Sequence, residues 1–322
     1  MLKRYNRTNL LPIVARIVKL LIVAAFIGIL LFFGRQAEVS LVYLQSTDQA
    51  VQQTEIGQDC KRCHTAIVES YNKEAHGKTG KFLDDSRATT CDSCHGNGEK
   101  HIRSKKPEDI INPPKLPTDQ TNSSCLKCHS QDKHTFAWQG GKHDSKNMSC
   151  LSCHSQHHSK SEEKMLTHYS TEETCMSCHT SVRKAQFQRS THLFRTEQRN
   201  MKVGCTSCHN PHGGEGDKML VEQTANNVCY SCHAEKRGPF LWEHAPVREN
   251  CMSCHSPHGS NNAKLLTARA HLSCQQCHIH MLPRHSTTAG KPLDIWSLNR
   301  GCVNCHSQIH GSNHPGGRTL TR

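Results

Sequence analysis

The chain has one sustained apolar run and little hydrophobic periodicity elsewhere. Leu20 to Gly34 is uncharged over 15 residues and comes after Lys3, Arg4, Arg7, Arg16 and Lys19. A basic stretch ahead of a run this short matches a secretory signal better than a membrane span of roughly 20 residues. The basic side would stay in the cytoplasm. Arg35-Gln36-Ala37 puts Arg where signal cleavage after Ala37 wants a small residue. Residues 1–37 therefore read equally as a cleaved signal peptide or as a retained inner-membrane anchor. Glu38 to Asp59 is polar and rich in Gln and Thr, a leader ahead of the cysteine-rich region. Beyond it the pattern predicts sparse secondary structure, mostly coil with short α-helical turns. The longest predicted helix covers Ser181–Gln198, a Pro-rich loop covers Asn112–Pro117, and the tail Pro315–Arg322 is expected to be disordered.

Composition explains the missing periodicity. Apolar residues are 34% of the 322 residues, and that class includes all 20 Cys and the N-terminal run. Globular chains usually hold about 45–50%. What remains is too little for a hydrophobic core made of protein alone. Either cross-links replace that core or an apolar group that is not protein fills it.

Every cysteine belongs to a Cys-x-x-Cys-His motif, and the ten motifs leave none over. They are Cys60–Cys63–His64, Cys91–Cys94–His95, Cys125–Cys128–His129, Cys150–Cys153–His154 and Cys175–Cys178–His179, then Cys205–Cys208–His209, Cys229–Cys232–His233, Cys251–Cys254–His255, Cys274–Cys277–His278 and Cys302–Cys305–His306. Zinc sites and disulfide frameworks also use paired cysteines, but neither demands His directly after the second Cys. The c-type haem attachment signature does. Two thiols add to the two vinyl groups of one haem, and the adjacent His reaches the iron. Ten covalently attached haems would supply the missing apolar interior. Attachment takes place outside the inner membrane, which agrees with the N-terminal export segment. Haem propionates also offset most of the formal net charge of +13, and aromatics are only 5%. That balance removes the case for nucleic-acid binding.

Of the 26 His, ten are proximal ligands, which leaves 16. Motifs 2, 4, 6, 8 and 10 are each flanked by a pair: His76 and His101, His143 and His157, His192 and His212, His244 and His258, His285 and His310. As distal ligands these ten complete bis-His coordination at every iron. A downstream member such as His212 or His258 sits too close to its own motif to circle that haem, so it is expected to reach a neighbouring one. Gly after His76, His212, His258 and His310 allows close backbone approach. His134, His158, His168, His271, His280 and His314 are left over. His134 is an alternative to His143, His158 to His157, and His314 is a substitute near the C-terminus. The eight Met are better read as gap fillers than as distal ligands. The two-haem unit is an internal repeat, which implies a quasi-one-dimensional build.

Substrate chemistry at haem needs an open iron position. Here enough His exist to close each one, no motif departs from His, and no catalytic triad or carboxylate pair stands out. The reading is an electron carrier, not an enzyme. The ten motifs, the repeated Cys-His-x-Pro-His-Gly elements and the closing Cys302-Val-Asn-Cys305-His306-Ser-Gln-Ile-His310-Gly311 resemble the decahaem c-type cytochromes of the MtrA/PioA/DmsE family, over roughly Gly57 to Arg318. The resemblance implies a multihaem cytochrome c fold, extended and mostly coil, packed around a chain of ten haems. It implies two pentahaem halves, 38–188 (motifs 1–5) and 189–322 (motifs 6–10). It also implies a periplasmic and outer-membrane location inside an outer-membrane β-barrel protein, passing electrons between periplasmic and extracellular redox partners in metal reduction or iron oxidation. The alternative is a periplasmic or inner-membrane-anchored shuttle to a terminal reductase, which a retained N-terminal anchor would favour.

Overall fold

The computed structural model describes residues 59–79, 89–161, 164–192, 203–279 and 301–321. The N-terminal segment 1–37, the leader up to residue 58 and His285 lie outside them. The chain forms two compact units, one from residues up to 72 together with 76–111, the other from 73–75 with 112–321. Among the described residues there are short helices and isolated bridges rather than sheets. None of these helices is long and apolar enough to cross a membrane. Among the described residues the buried hydrophobic side chains are Trp138, Leu166, Val228 and Leu320, and no large side chain is fully enclosed. So small an apolar set cannot offset the entropy of ordering this chain. That agrees with a multihaem cytochrome c fold, in which cofactors make the interior.

Motif 2 lies on the α-helix Cys91–His95, and from motif 3 onward the motifs alternate between two local structures. Motifs 3, 5, 7 and 9 sit on or at the ends of the α-helices Thr118–His129, Thr171–Cys178, Ala225–Tyr230 and Ala270–His278. Motifs 4, 6, 8 and 10 open on single 3-10 turns at Cys150–Ser152, Cys205–Ser207, Cys251–Ser253 and Cys302–Asn304. Capping side chains account for part of this. Ser170 accepts from Glu173 N and Thr224 from Asn227 N, which starts the odd helices. Ser149 and Asn250 accept from residues only two ahead, Leu151 N and Met252 N, which closes a tighter turn.

Buried Asn residues tie helix to turn. Asn122 accepts from Cys150 N at 2.9 Å and donates to Met148 O at 3.0 Å. Asn226 repeats the clamp, accepting from Cys251 N at 2.8 Å and donating to Val247 O and Arg248 O at 3.0 Å. Each lies three residues before the first Cys of its odd motif. Residues 73–75 belong with the second unit because the buried Glu74 carboxylate accepts from Ser159 N at 3.1 Å and Ser159 Oγ at 2.5 Å.

Two sequence expectations are corrected. The helix predicted over Ser181–Gln198 spans only Thr180–Ala185, and residues 193–198 lie outside the described set. Gln186 Nε2 donates instead to His258 O at 2.8 Å, and Ser190 pairs with Ser260 in an isolated bridge. Tertiary bonds take over where periodicity suggested more helix. The tail is also ordered. Gly317–Thr319 forms a 3-10 turn, Leu320 is buried, and Gln308 N donates to Leu320 O at 3.0 Å. The Pro-rich loop includes one 3-10 turn at Pro113–Lys115.

Candidate haem-binding sites

The imidazoles come together in pairs. His64 faces His101 with ring centroids 6.2 Å apart, within the first unit. In the second unit His154 faces His212 at 6.0 Å, His209 faces His258 at 6.0 Å and His255 faces His310 at 6.2 Å. His143 faces His179 at 6.3 Å, His192 faces His233 at 6.5 Å and His244 faces His278 at 6.2 Å. Each pair joins one motif His to one of the flanking His. Two metal–nitrogen bonds of about 2 Å, with the two half-rings behind the nitrogens, account for such a span. The pairs therefore fit an iron between them.

The pairing obeys a register that local spacing does not reveal. A His downstream of an even motif faces the proximal His of the even motif before it: His212 comes after motif 6 yet faces His154 of motif 4. A His upstream of an even motif faces the odd motif just beyond: His143 precedes motif 4 and faces His179 of motif 5. His101, with no earlier even motif to meet, faces motif 1.

Nδ1 partners set the tautomers. Even-motif proximal His donate Nδ1–H to main-chain carbonyls: His95 to Ile111 O at 2.8 Å, His154 to Lys164 O at 2.8 Å, His209 to Lys218 O at 3.0 Å, His255 to Lys264 O at 2.9 Å and His306 to Thr319 O at 2.6 Å. A carbonyl can only accept, so Nε2 keeps its lone pair for a metal. Flanking His do the same. His101 donates to Lys106 O at 2.8 Å, His143 to Pro211 O at 2.8 Å, His192 to Pro257 O at 3.1 Å and His244 to Ile309 O at 3.1 Å. Pro211, Pro257 and Ile309 immediately precede His212, His258 and His310. One hydrogen bond thus joins the facing His of neighbouring sites 4 and 5, 6 and 7, and 8 and 9. Burial, with neighbouring His and Lys charges, holds His258 and His310 below the usual imidazole range. Burial and His154 push His212 down to about 4. All three are neutral at ordinary pH, the form that ligates metal.

The carbonyls offered to His154, His209 and His255 come from a recurring element that motif spacing alone did not disclose. It reads Lys164-Met-Leu-Thr, Lys218-Met-Leu-Val and Lys264-Leu-Leu-Thr, and Arg318-Thr-Leu-Thr offers Thr319 O to His306 in the same way. Its second or third residue turns into the left-handed region: Met165, Met219, Leu265 and Leu320 all have φ between 49° and 58°. Bridges His154–Leu166, His209–Leu220 and His255–Leu266 then hold the loop against the motif. Of the glycines after the downstream His, Gly311 lies against the Phe240 ring, while two meet main chain instead. Gly213 and Gly259, at φ 123° and 153°, lie against the Ala137 and Ala185 carbonyls, where a Cβ would collide.

Thiols order the sites. Burial and Cys91 raise the Cys60 thiol to about 11, and burial with Cys251 or Cys302 does the same for Cys229 and Cys274. Hydrogen bonds to Cys150 and Cys205, then burial, raise Cys125 and Cys175. First cysteines thus meet across pairs 1–2, 3–4, 5–6, 7–8 and 9–10. Second cysteines lie within electrostatic reach of one another across three further junctions. Burial first, then Cys178, Cys232 and Cys277, raise Cys153, Cys208 and Cys254, which links sites 4–5, 6–7 and 8–9. From site 3 to site 10, each site adjoins the next.

The remaining candidates have other surroundings. His76 O accepts from Thr89 Oγ1 at 3.3 Å, and His157 lies edge-on to His158 at 6.3 Å. His134 O accepts from Asn210 at 3.1 Å, and His314 Nδ1 accepts from Gly316 N at 3.0 Å. His168 and His271 face no other imidazole among the described residues, and His280 lies outside them.

The doubled CXXCH motif family matches residues 199–238 and 244–281, and the NrfB-like cytochrome c-type family matches 91–170. The Multiheme cytochrome MtrA of Shewanella baltica is 39% identical over 276 residues, covering 82% of this chain and 80% of that protein. The chain belongs to the MtrA-type multihaem cytochromes c. Members of this family bind haem c through Cys-x-x-Cys-His motifs, and electron transfer is the class of function. A solved undecahaem cytochrome from the S-layer of Carboxydothermus ferrireducens aligns over 73% of this chain and 33% of its own at 17% identity, with a TM-score of 0.15. The MtrA-type assignment rests on the sequence relative and the motifs.

Proposed function

We propose that this chain is a decahaem conduit in an outer-membrane barrel, carrying electrons between the periplasm and the cell exterior. The observation that carries the reading is the unbroken adjacency of sites 3 to 10, each marked by thiols of one motif against thiols of the next. When bound, each haem supplies a one-electron Fe(III)/Fe(II) couple. The protein's part is to hold, space and tune.

In this reading the twenty motif cysteines form the thioethers, and His64, His95, His129, His154, His179, His209, His233, His255, His278 and His306 are proximal ligands. His101, His143, His192, His212, His244, His258 and His310 are distal ligands in the pairs they form. His76, His157 and His285 complete the set of ten. The neighbouring first cysteines of successive motifs would hold adjacent haems close together, which would favour fast electron transfer between them. At the seven sites with paired imidazoles, two ring nitrogens would close the iron, which supports a carrier rather than an enzyme. Residues 38–188 and 189–322 carry five sites each. The barrel partner and the extracellular redox partners come from the family resemblance.

The test is isolation of the native protein in mild detergent from separated inner and outer membranes, with intact mass and partner identification. The expected result is ten haems on a chain cleaved near residue 37, recovered with a large barrel protein from the outer membrane. Recovery from the inner membrane with residues 1–37 intact and no barrel would establish the anchored shuttle instead. Eight haems or fewer would sink the all-motif reading.

A further inference from the structure

Nine His donate Nδ1–H to neutral main-chain carbonyls, and one breaks the pattern. His129 Nδ1 lies 2.5 Å from the Asp132 carboxylate. This contact is held by local structure. Thr135 N and Phe136 N both donate to Asp132 O at 2.9 Å, and Thr135 Oγ1 donates to His129 O, so residues 129–136 curl Asp132 back onto the ring. The nearest parallel, His233 with Glu235, is separated by 3.7 Å, beyond a hydrogen bond. His64, His179 and His278 have no Nδ1 acceptor among the described residues.

We propose that Asp132 is a positioning residue that sets the reduction potential of the third haem below that of the fourth. A proximal imidazole that donates to a carboxylate is a stronger electron donor than one that donates to an amide carbonyl. The carboxylate also places a negative charge one ring away from the iron. Both effects favour the ferric state, so reduction of this iron by one electron is disfavoured. The electron comes from the neighbouring haem, and no bond or proton needs to change. Haem 4 is the proper comparison, because Cys125 adjoins Cys150 and His154 donates to a carbonyl. The series then contains a built-in step between two adjacent sites rather than uniform rungs. The inference rests on the haem reading of the motifs.

The experiment is a potentiometric titration of the full-length holoprotein, with optical and low-temperature EPR spectra at each potential. Asp132→Asn should raise one midpoint, shifting that haem's ferric/ferrous ratio at least tenfold at fixed potential, about 59 mV for a one-electron couple. Asp132→Glu should bring it back toward wild type. In the unmodified protein, near-infrared magnetic circular dichroism should show one bis-His haem whose ligand-to-iron band lies at higher energy than the rest, the mark of an imidazolate-like ligand. This readout stands even where a variant fails to mature. Ten haems with unmoved midpoints, a uniform near-infrared band, or a general shift of all haems would each overturn the role of Asp132 alone. A wild type without haem on Cys125 and Cys128 would overturn the haem reading as well.

Discussion

At the scale of single residues, the main work is deciding which nitrogen of each imidazole is free. Nine carbonyl acceptors fix Nδ1 as the donor and leave the Nε2 lone pair for a metal. His212 is half-buried and faces His154 rather than the motif it comes after. His212→Ala should therefore convert one low-spin ferric haem to high spin, measured by EPR at unchanged haem count. In a Cys150→Ala/Cys153→Ala background, which lacks the fourth haem, the same change should alter no further haem, because both act on one site. If it still creates a high-spin centre there, the register is wrong. The proximal set was legible because its chemistry is written within five consecutive residues. The facing partners are 34 to 58 positions away, from His244–His278 to His154–His212. Only the three-dimensional path decides such pairings.

At the scale of elements, the even turns are held by groups that carry no cofactor chemistry. Asn226 satisfies Cys251 N, Val247 O and Arg248 O from a buried position. Replacing it with Ala strands those groups, at about 1–3 kcal/mol for each left without water or protein. The expected outcome is a lower thermal midpoint with all haems retained, read by visible absorbance and calorimetry. Neither this clamp nor the Lys-Met-Leu-Thr element has a hydrophobic period, so pattern reading passed over both. The same element explains the ordered tail. Leu320 has the left-handed φ of Met165, Met219 and Leu265, and like them it offers its carbonyl to a main-chain N–H just past the motif His. The overextended helix at Ser181–Gln198 failed for the opposite reason. Its composition suits a helix, but Gln186 and Ser190 are claimed by His258 O and Ser260.

At the scale of the whole chain, the fold class was legible from what composition lacked: a chain with so few apolar residues and ten identical attachment motifs needs cofactors for an interior. The route from site to site was not legible, because thiol contacts between successive motifs depend on how helix and turn fold together. The register makes a prediction of its own. Removing residues 307–322 deletes His310, so the haem on Cys251 and Cys254 should turn high-spin while the one on Cys302 and Cys305 still attaches. Mass spectrometry and EPR of the truncated protein would check this. The pairing of His255 with His310 also has a meaning in time. In the proposed exported form, secreted N-terminus first, the chain would present Cys251 for haem attachment before His310 had crossed the membrane. The same lag separates His154 from His212 and His209 from His258. If haems attach as the chain emerges, loading would run two motifs ahead of closure, and each of these even sites would first hold its haem through the motif His alone. Like a knitted row, each stitch is locked only when a later loop is drawn through it.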